Sequence, residues 1–341
     1  MKHWFKSDNT SPACPEVMQA LLDCNRGYAA AYGDDDWSRR LDDVFSSWFG
    51  RRVRVFPVAT GTAANTTALA TLCPPYGAIV THAHAHIVRD ECGAPEFMTG
   101  GARLLLAHCP DGRMTAAQLE ATLDDNPANV HTVQPAVVSI TQATEFGTAW
   151  SPAAVAALSE AAHRRGLAVH MDGARFANAI ISLGCEPADV TWRAGIDVLS
   201  FGATKNGAIA AEAVVFFDPA RAADYEFRRK RAGHLLSKMR YVSAQLIAYV
   251  DTGAWQRNAA HANTLARRIA GAAGAALRHP VEANEVFLRL PAPLRESLRT
   301  HGFGFYDWGA SDSGEVRFVV SWDQPEADVD ALCEALRAGL G

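Results

Sequence analysis

Three residues in the middle of the chain carry side chains that could act together on one planar, electron-poor ring. Lys205 closes the apolar run of DVLSFGATKNG, while Asp172 and Arg175 leave the run LAVHMDGAR. An amine, an acid and a cation at strand ends suit pyridoxal phosphate. The amine forms a Schiff base with its aldehyde, the acid pairs with the pyridine nitrogen and the cation faces the phenolate. That combination points to amino acid chemistry.

Each of the three has a plainer alternative. Asp172 follows an apolar strand directly, where an unpaired carboxylate is costly and a protonated ring nitrogen is a matching partner. Capping a helix that starts near Ala174 is its other reading, and a surface ion pair is the other reading of Arg175. Lys205 is led in by the small, apolar SFGAT, which argues against an exposed loop lysine.

TGTAAN, residues 60–65, follows the strand-like VRVFPVA and opens an apolar helix. Free backbone N–H groups and the helix dipole favour an anion there, so Gly61 and Thr62 are candidates for the cofactor phosphate, with Asn65 a turn behind. Ordinary N-capping is the alternative. The chain has neither a GxGxxG run nor a Walker A motif, which weakens nucleotide readings.

His82, His84 and His86 alternate in HAHAHIVRDE. On a strand they would share a face and could hold a metal, yet no carboxylate partner stands out and no metal is expected. His86, which leads into Asp90 and Glu91, is the candidate to stack on the cofactor and exchange protons with substrate. Arg317, the only charge between Val316 and FVVSW, suits the carboxylate of an amino acid substrate, with a structural ion pair as the alternative. Ser7, Asp8 and Asn9 form a polar arm before SPACPEVMQA, which reads as a helix start.

An α/β layer must position these residues. From about residue 53 to 217, apolar β-branched runs alternate with segments of helical period: VRVFPVA, GAIVTH, RLLLAHC, PAVVSIT, LAVHMD, DVLSFG and AVVFF. This predicts a seven-stranded, mostly parallel sheet covered by helices on both faces, with ligands bound beyond the carboxyl ends of the strands. Residues 219–275 read as long helices, and VFLRLP, GFGFYDW and EVRFVVSW as strands of a smaller C-terminal α/β domain. The expected division is an N-terminal arm and large cofactor-binding domain over 1–245, and a small domain over 246–341.

The bulk numbers agree with such an enzyme. A chain of 341 residues suggests about two domains. Its net charge of -5, from 32 basic and 37 acidic residues without long blocks, gives no footprint for nucleic acid or a membrane surface. The seven cysteines are odd in number and never paired as CxxC, which argues against a disulfide framework and fits a reducing cytoplasm. No apolar run has the length of a signal peptide core or a membrane span.

Taken in order, SDNTSPACPEVMQA, YGDD, ATGTAAN, AHIVRDECGAPEF, HMDGARFANA, SFGATKNG and VRFVV resemble the threonine aldolase family of fold type I pyridoxal phosphate enzymes. DECGAPEF, SITQATEFGT and SFGATKNG look most like its low-specificity bacterial branch. The resemblance implies a lyase that cleaves L-threonine, L-allo-threonine or phenylserine-like β-hydroxy amino acids to glycine and an aldehyde. It implies Lys205 as the Schiff-base lysine, Asp172 at the ring nitrogen, Arg175 by the phenolate, His86 over the ring, and Gly61 with Thr62 around the phosphate. Ser7 and Arg317 would hold the substrate carboxylate. It also implies a homodimer or homotetramer with sites at the subunit interface, where Lys230 reaches the neighbouring phosphate. Many family members carry a histidine in an NTH motif close to the substrate hydroxyl, and the resemblance sets Ala143 of TQATEFGT in its place. The base is then His86, His131 or a water held by the phosphate, with His86 preferred. A β-eliminase or an aminotransferase on the same cofactor is the alternative.

Overall fold

The structure, a computed structural model, describes residues 2–310 and 312–341. The chain forms strands β1 (His3–Trp4), β2 (Arg54–Val58), β3 (Gly77–His82), β4 (Arg103–Ala107), β5 (Gln134–Thr141), β6 (Ala168–Gly173), β7 (Val198–Gly202), β8 (Glu212–Phe216), β9 (Glu285–Arg289), β10 (Phe303–Gly304), β11 (Tyr306–Trp308) and β12 (Glu315–Val319). A seven-stranded sheet runs β2-β8-β7-β6-β5-β3-β4. From β7 to β4 all neighbours are parallel, and β8 alone runs antiparallel to both β7 and β2. The seven runs predicted from sequence are the seven strands of this sheet.

Helices cover both faces, which is why the central strands are apolar without alternation. On one side Leu41, Phe45, Phe49, Phe201, Leu246 and Tyr249 belong to one core, built with the helices Asp36–Phe49 and Arg240–Asp251. On the other, the helix Gly61–Leu72 lays Ala63 and Ala64 against Phe56, Val58, Val198 and Val214. Burying a side chain the size of Phe201 contributes about 2 kcal/mol.

A second core joins the helices Ala254–Ala273 and Glu326–Leu340 to the three-stranded sheet β11-β12-β9. Phe5 is fully buried in it, and β1 pairs in parallel with β10. Residues 3–5 of the N-terminal arm therefore pack with the C-terminal layer. The run GFGFYDW divides, Phe303–Gly304 pairing with β1 and Tyr306–Trp308 with β12. A division at 245/246 would cut the helix Arg240–Asp251, whose Leu246, Ile247, Tyr249 and Val250 lie in the first core.

Candidate active site

Parallel strands share their carboxyl edge, and the sequence uses that edge for its polar residues. Asp172 is the penultimate residue of β6 and is 4% exposed. Its Oδ1 accepts from the N–H of Ala174 at 2.9 Å and its Oδ2 from Nδ2 of Asn65 at 2.8 Å. The bond to Ala174 is a local turn and not the helix cap considered from the sequence, because the helix starts at Phe176 with Arg175 as its N-cap and no side-chain cap bond. Gly173 is required beside it, because a Cβ there would stand 2.7 Å from Leu199 Cδ1 and 2.9 Å from the Ser200 carbonyl oxygen on β7.

Lys205 follows β7 in the single turn Thr204–Asn206, and the chain leaves that turn through Gly207 at φ +114. The residues around it are pinned. Asn206 Nδ2 donates to the Tyr249 hydroxyl at 2.6 Å and to the Trp255 carbonyl at 2.9 Å, and Asn258 Nδ2 donates to the Asn206 carbonyl at 2.9 Å. The turn is thereby fixed while the half-buried lysine projects from it. Its positive charge bears on Asp8, His86, Glu212 and Glu285. Burial pushes Glu212 up to about 7 against the opposing pull of a Thr204 hydrogen bond and of Lys205.

Arg175 is 13% exposed and meets two buried carboxylates. Its Nε and Nη2 donate to Asp8 at 2.9 and 3.1 Å, and its Nη1 stands 3.3 Å from Glu285 Oε2. Two of its five N–H donors are thus engaged by Asp8. Burial alone would push the Asp8 carboxyl up, but the charges of Arg175 and Lys205, with hydrogen bonds from Arg175 and Asn284, hold it below the usual carboxylate range. Glu285 shows the opposite outcome, its burial outweighing the pull of Arg175 and Arg317. Arg317 lies 3.6 Å from the other Glu285 oxygen, with its guanidinium 4.5 Å from the Trp308 ring centroid. The surface ion pair considered for Arg175 is therefore a buried one, and the pair considered for Arg317 is present as a loose contact. Ser7 adjoins this cluster, its Oγ accepting from the N–H of Asn9 at 3.2 Å.

The three alternating histidines do not share a strand face. His82 ends β3, His84 lies in the turn that follows, and His86 opens the short helix His86–Arg89, because the strand stops where the chain leaves the sheet. Two carboxylate partners appear instead, one distant in sequence and one five residues from His86. Glu145, beyond β5, accepts from His82 Nε2 at 2.8 Å, from the His86 backbone N–H at 2.7 Å and from Thr141 Oγ1 at 2.9 Å. Because His82 Nδ1 accepts from the His84 backbone N–H at 3.3 Å, hydrogen-bond logic sets the His82 hydrogen on Nε2. Glu91 Oε1 lies 3.2 Å from His86 Nδ1 and also accepts from Asn65 Nδ2 at 3.1 Å.

Gly61 begins its helix directly beyond β2, and Thr60 caps it by accepting from the Ala63 N–H at 3.1 Å. A Cβ on Gly61 would meet nothing within 4 Å, and Thr62 beside it is half-buried, so the first turn of the helix is not closed off by packing at Gly61. Asn65, a turn further along the helix, joins Asp172 to Glu91. Ala143 is buried among Ala149, Ala179 and Ala283, an apolar setting unsuited to proton transfer. His131 is exposed ahead of β5, at the opposite end of that strand from Glu145. Lys230, exposed on the helix Tyr225–Arg231, lies over the ring of Tyr32 at 4.6 Å.

The donor set fits pyridoxal phosphate. Asn65 Oδ1, Glu91 Oε2 and Arg317 Nε are buried without a hydrogen-bond partner, and the Glu285 oxygens have only ion contacts to Arg175 and Arg317, so under-satisfied polar atoms gather around the ring-binding candidates. A helix N-terminus at Gly61, an amine at Lys205 and a buried acid at Asp172 are groups of the kinds that could take the phosphate, aldehyde and pyridine nitrogen. Sequence reasoning missed Glu145 and Glu285, and it assigned no site role to Asp8, Glu91 or Asn65. Glu285, beside the apolar run VFLRL, carried some local signal of burial, whereas Asp8 in SDNTS and Glu91 in VRDEC carried none.

Residues 5–292 match the family model described as beta-eliminating lyase. Over 339 residues, 98% of this chain and 97% of the relative, the sequence is 45% identical to the low specificity L-threonine aldolase of a Pseudomonas species. The chain belongs to the low specificity L-threonine aldolases of the beta-eliminating lyase family. The corresponding aldolase of Pseudomonas aeruginosa is 44% identical over 99% of this chain and 98% of its own. The fold follows the same family: the Leishmania major threonine aldolase superposes with a TM-score of 0.93 at 25% identity, covering 99% of this chain and 100% of that one. The threonine aldolase resemblance carried by the seven motifs is thereby borne out. The fold is also shared with an SPT solved with its PLP internal aldimine, at a TM-score of 0.73 and 16% identity over 98% of this chain and 86% of that one.

Proposed function

We propose that this chain is a pyridoxal phosphate-dependent aldolase that cleaves L-threonine, L-allo-threonine or phenylserine-like β-hydroxy-α-amino acids to glycine and an aldehyde. The observation that carries the reading is the convergence of Lys205, Asp172, Arg175 and His86 at the carboxyl edge of one sheet in a chain of this family. Lys205 would hold the cofactor through its amine, Asp172 its ring nitrogen, Arg175 its phenolate edge, His86 its face, and Gly61 with Thr62 its phosphate. When bound, pyridoxal phosphate supplies an electron sink for the pair released as the Cα–Cβ bond breaks.

The remaining work falls to the chain's own residues. Arg317 and Ser7 bind the substrate carboxylate, and by fixing rotation about the nitrogen–Cα bond they select which bond breaks. Asp8 and Glu285 hold Arg175 and Arg317 in place and balance their charge. His86 takes the β-hydroxyl proton, its backbone tied to Glu145 and its ring to Glu91.

The active unit is a homodimer or homotetramer in which Lys230 approaches the neighbour's phosphate, a reading supported by its exposed place beside Tyr32. Chains with Lys205→Ala and Lys230→Ala should then regain activity when mixed. A cytoplasmic location is supported by seven free thiols. No helix among the described residues is long and apolar enough to cross a membrane.

The deciding experiment is an absorption spectrum of the purified protein, followed by addition of phenylserine and, separately, threonine. A coloured protein releasing benzaldehyde or acetaldehyde with glycine supports the aldolase. Ammonia and a keto acid from threonine would instead mark a β-eliminase, and amino transfer to an added keto acid an aminotransferase. Lys205→Ala should lose both the visible band and turnover.

A further inference from the structure

His86 is held at two points, and the second has a chemical consequence. Its ring Nδ1 lies 3.2 Å from Oε1 of Glu91, whose side chain has no exposed surface. An ionised carboxylate only accepts, so Nδ1 carries the hydrogen and Nε2 keeps its lone pair. The histidine side chain is 38% exposed, leaving part of the ring open to the site. Behind Glu91, one amide nitrogen of Asn65 donates to Glu91 Oε1 at 3.1 Å and to Asp172 Oδ2 at 2.8 Å. Both amide hydrogens of Asn65 are thereby engaged, and two buried acids are linked through one side chain.

Resting on the aldolase reading, we infer that Glu91 is a positioning residue for the cleavage step. It fixes His86 as the tautomer with a bare Nε2, the atom that receives the β-hydroxyl proton, and Asn65 holds Glu91 in register with Asp172. The O–H bond breaks as its proton moves to Nε2. The oxygen's electron pair closes the aldehyde C=O, the Cα–Cβ pair remains with Cα, and Cα then takes up one proton. Substrate, glycine and aldehyde therefore balance without net proton change.

The groups around the ring pull in both directions, and their net effect raises the His86 pKa. The hydrogen bond to Glu91 raises the His86 pKa most, burial lowers it, the charges of Asp172 and Glu91 raise it, and Lys205 lowers it. Glu145 acts from the backbone side, its carboxylate bonded to the His86 N–H and to His82. Neutral His86 is thereby a stronger base than free imidazole.

The test is Glu91→Gln in the holoenzyme, since the Gln carbonyl can still accept from Nδ1 and from Asn65 while the charge is gone. A base works in its neutral form, so activity falls on the acid side through the His86 pKa. The acid limb of kcat/KM should move down by about one pH unit in Glu91→Gln and return toward the original value in Glu91→Asp. Nitrogen-15 NMR of the ring, assigned by loss of the signal in His86→Asn, should show hydrogen on Nδ1 and a pKa that drops in Glu91→Gln. Normal cleavage with an unmoved limb and an unmoved ring pKa, or a neutral His86 with hydrogen on Nε2, overturns the inference alone. Absence of any aldehyde release by the unaltered holoenzyme overturns the aldolase reading and this inference with it.

Discussion

Arg175 grips Asp8 across 167 positions of chain, Nε to Oδ2 at 2.9 Å and Nη2 to Oδ1 at 3.1 Å. The pair ties the N-terminal arm to the exit of β6, and so brings Ser7 beside the residues assigned to the cofactor. The arm is anchored at both ends, since Phe5 is buried in the C-terminal core.

Asp8→Ala leaves a buried guanidinium with Glu285 as its remaining partner and is expected to lower stability by about 3 kcal/mol, read from urea unfolding at pH 7. Asp8→Asn should cost less. The folded Asp8 pKa is lowered, so its contribution is present above the unfolded carboxylate pKa and fades as pH falls through the folded value. Either variant should therefore show a flatter loss of stability toward acid.

Arg317→Ala is expected to weaken glycine binding about 10- to 100-fold, measured by spectral titration, with a smaller effect on cofactor content. Arg317→Lys should recover only part of the affinity, because a point charge cannot reproduce a planar two-point contact. Unchanged glycine affinity in Arg317→Ala would remove the clamp.

His170 bridges three strands, its Nδ1 2.9 Å from Ser139 Oγ on β5 and its Nε2 2.9 Å from Ser200 Oγ on β7. Burial lowers its pKa to about 4, so the folded state favours the neutral ring. The unfolded chain binds the extra proton first, and stability should fall as pH drops from about 6.5 toward 4, by roughly 3 kcal/mol in all. Unfolding free energies at pH 7 and 4.5 should diverge less in His170→Gln than in the unaltered protein.

Gly202→Ala would set a Cβ 2.7 Å from Ala174 Cα and 2.8 Å from its carbonyl oxygen. Both are backbone atoms of the segment between Asp172 and Arg175, so neither yields cheaply. We expect a loss of about 1–3 kcal/mol in thermal unfolding together with reduced cofactor content, because the strand of Lys205 and the loop of Arg175 are forced apart.

What the sequence determined by itself was local and periodic. Apolar runs such as GAIVTH and DVLSFG, buried on both faces, marked the seven strands, and the polar residues after them marked the carboxyl edge proposed to bind the cofactor. Lys205, Asp172 and Arg175 were legible because a charged group after an apolar strand has few inexpensive explanations. The partners of those residues were decided by tertiary structure alone. Asp8 reaches Arg175, Glu285 stands between two arginines, and Glu145, in the loop after β5, meets His82 and His86 from 63 and 59 positions away. A hydrogen bond depends on distance in space, and the parallel crossovers of this sheet bring together groups whose separation along the chain carries no signal. The same reason explains the histidines: alternation in HAHAH suggested one face, but the strand ends at His82 and the chain turns there.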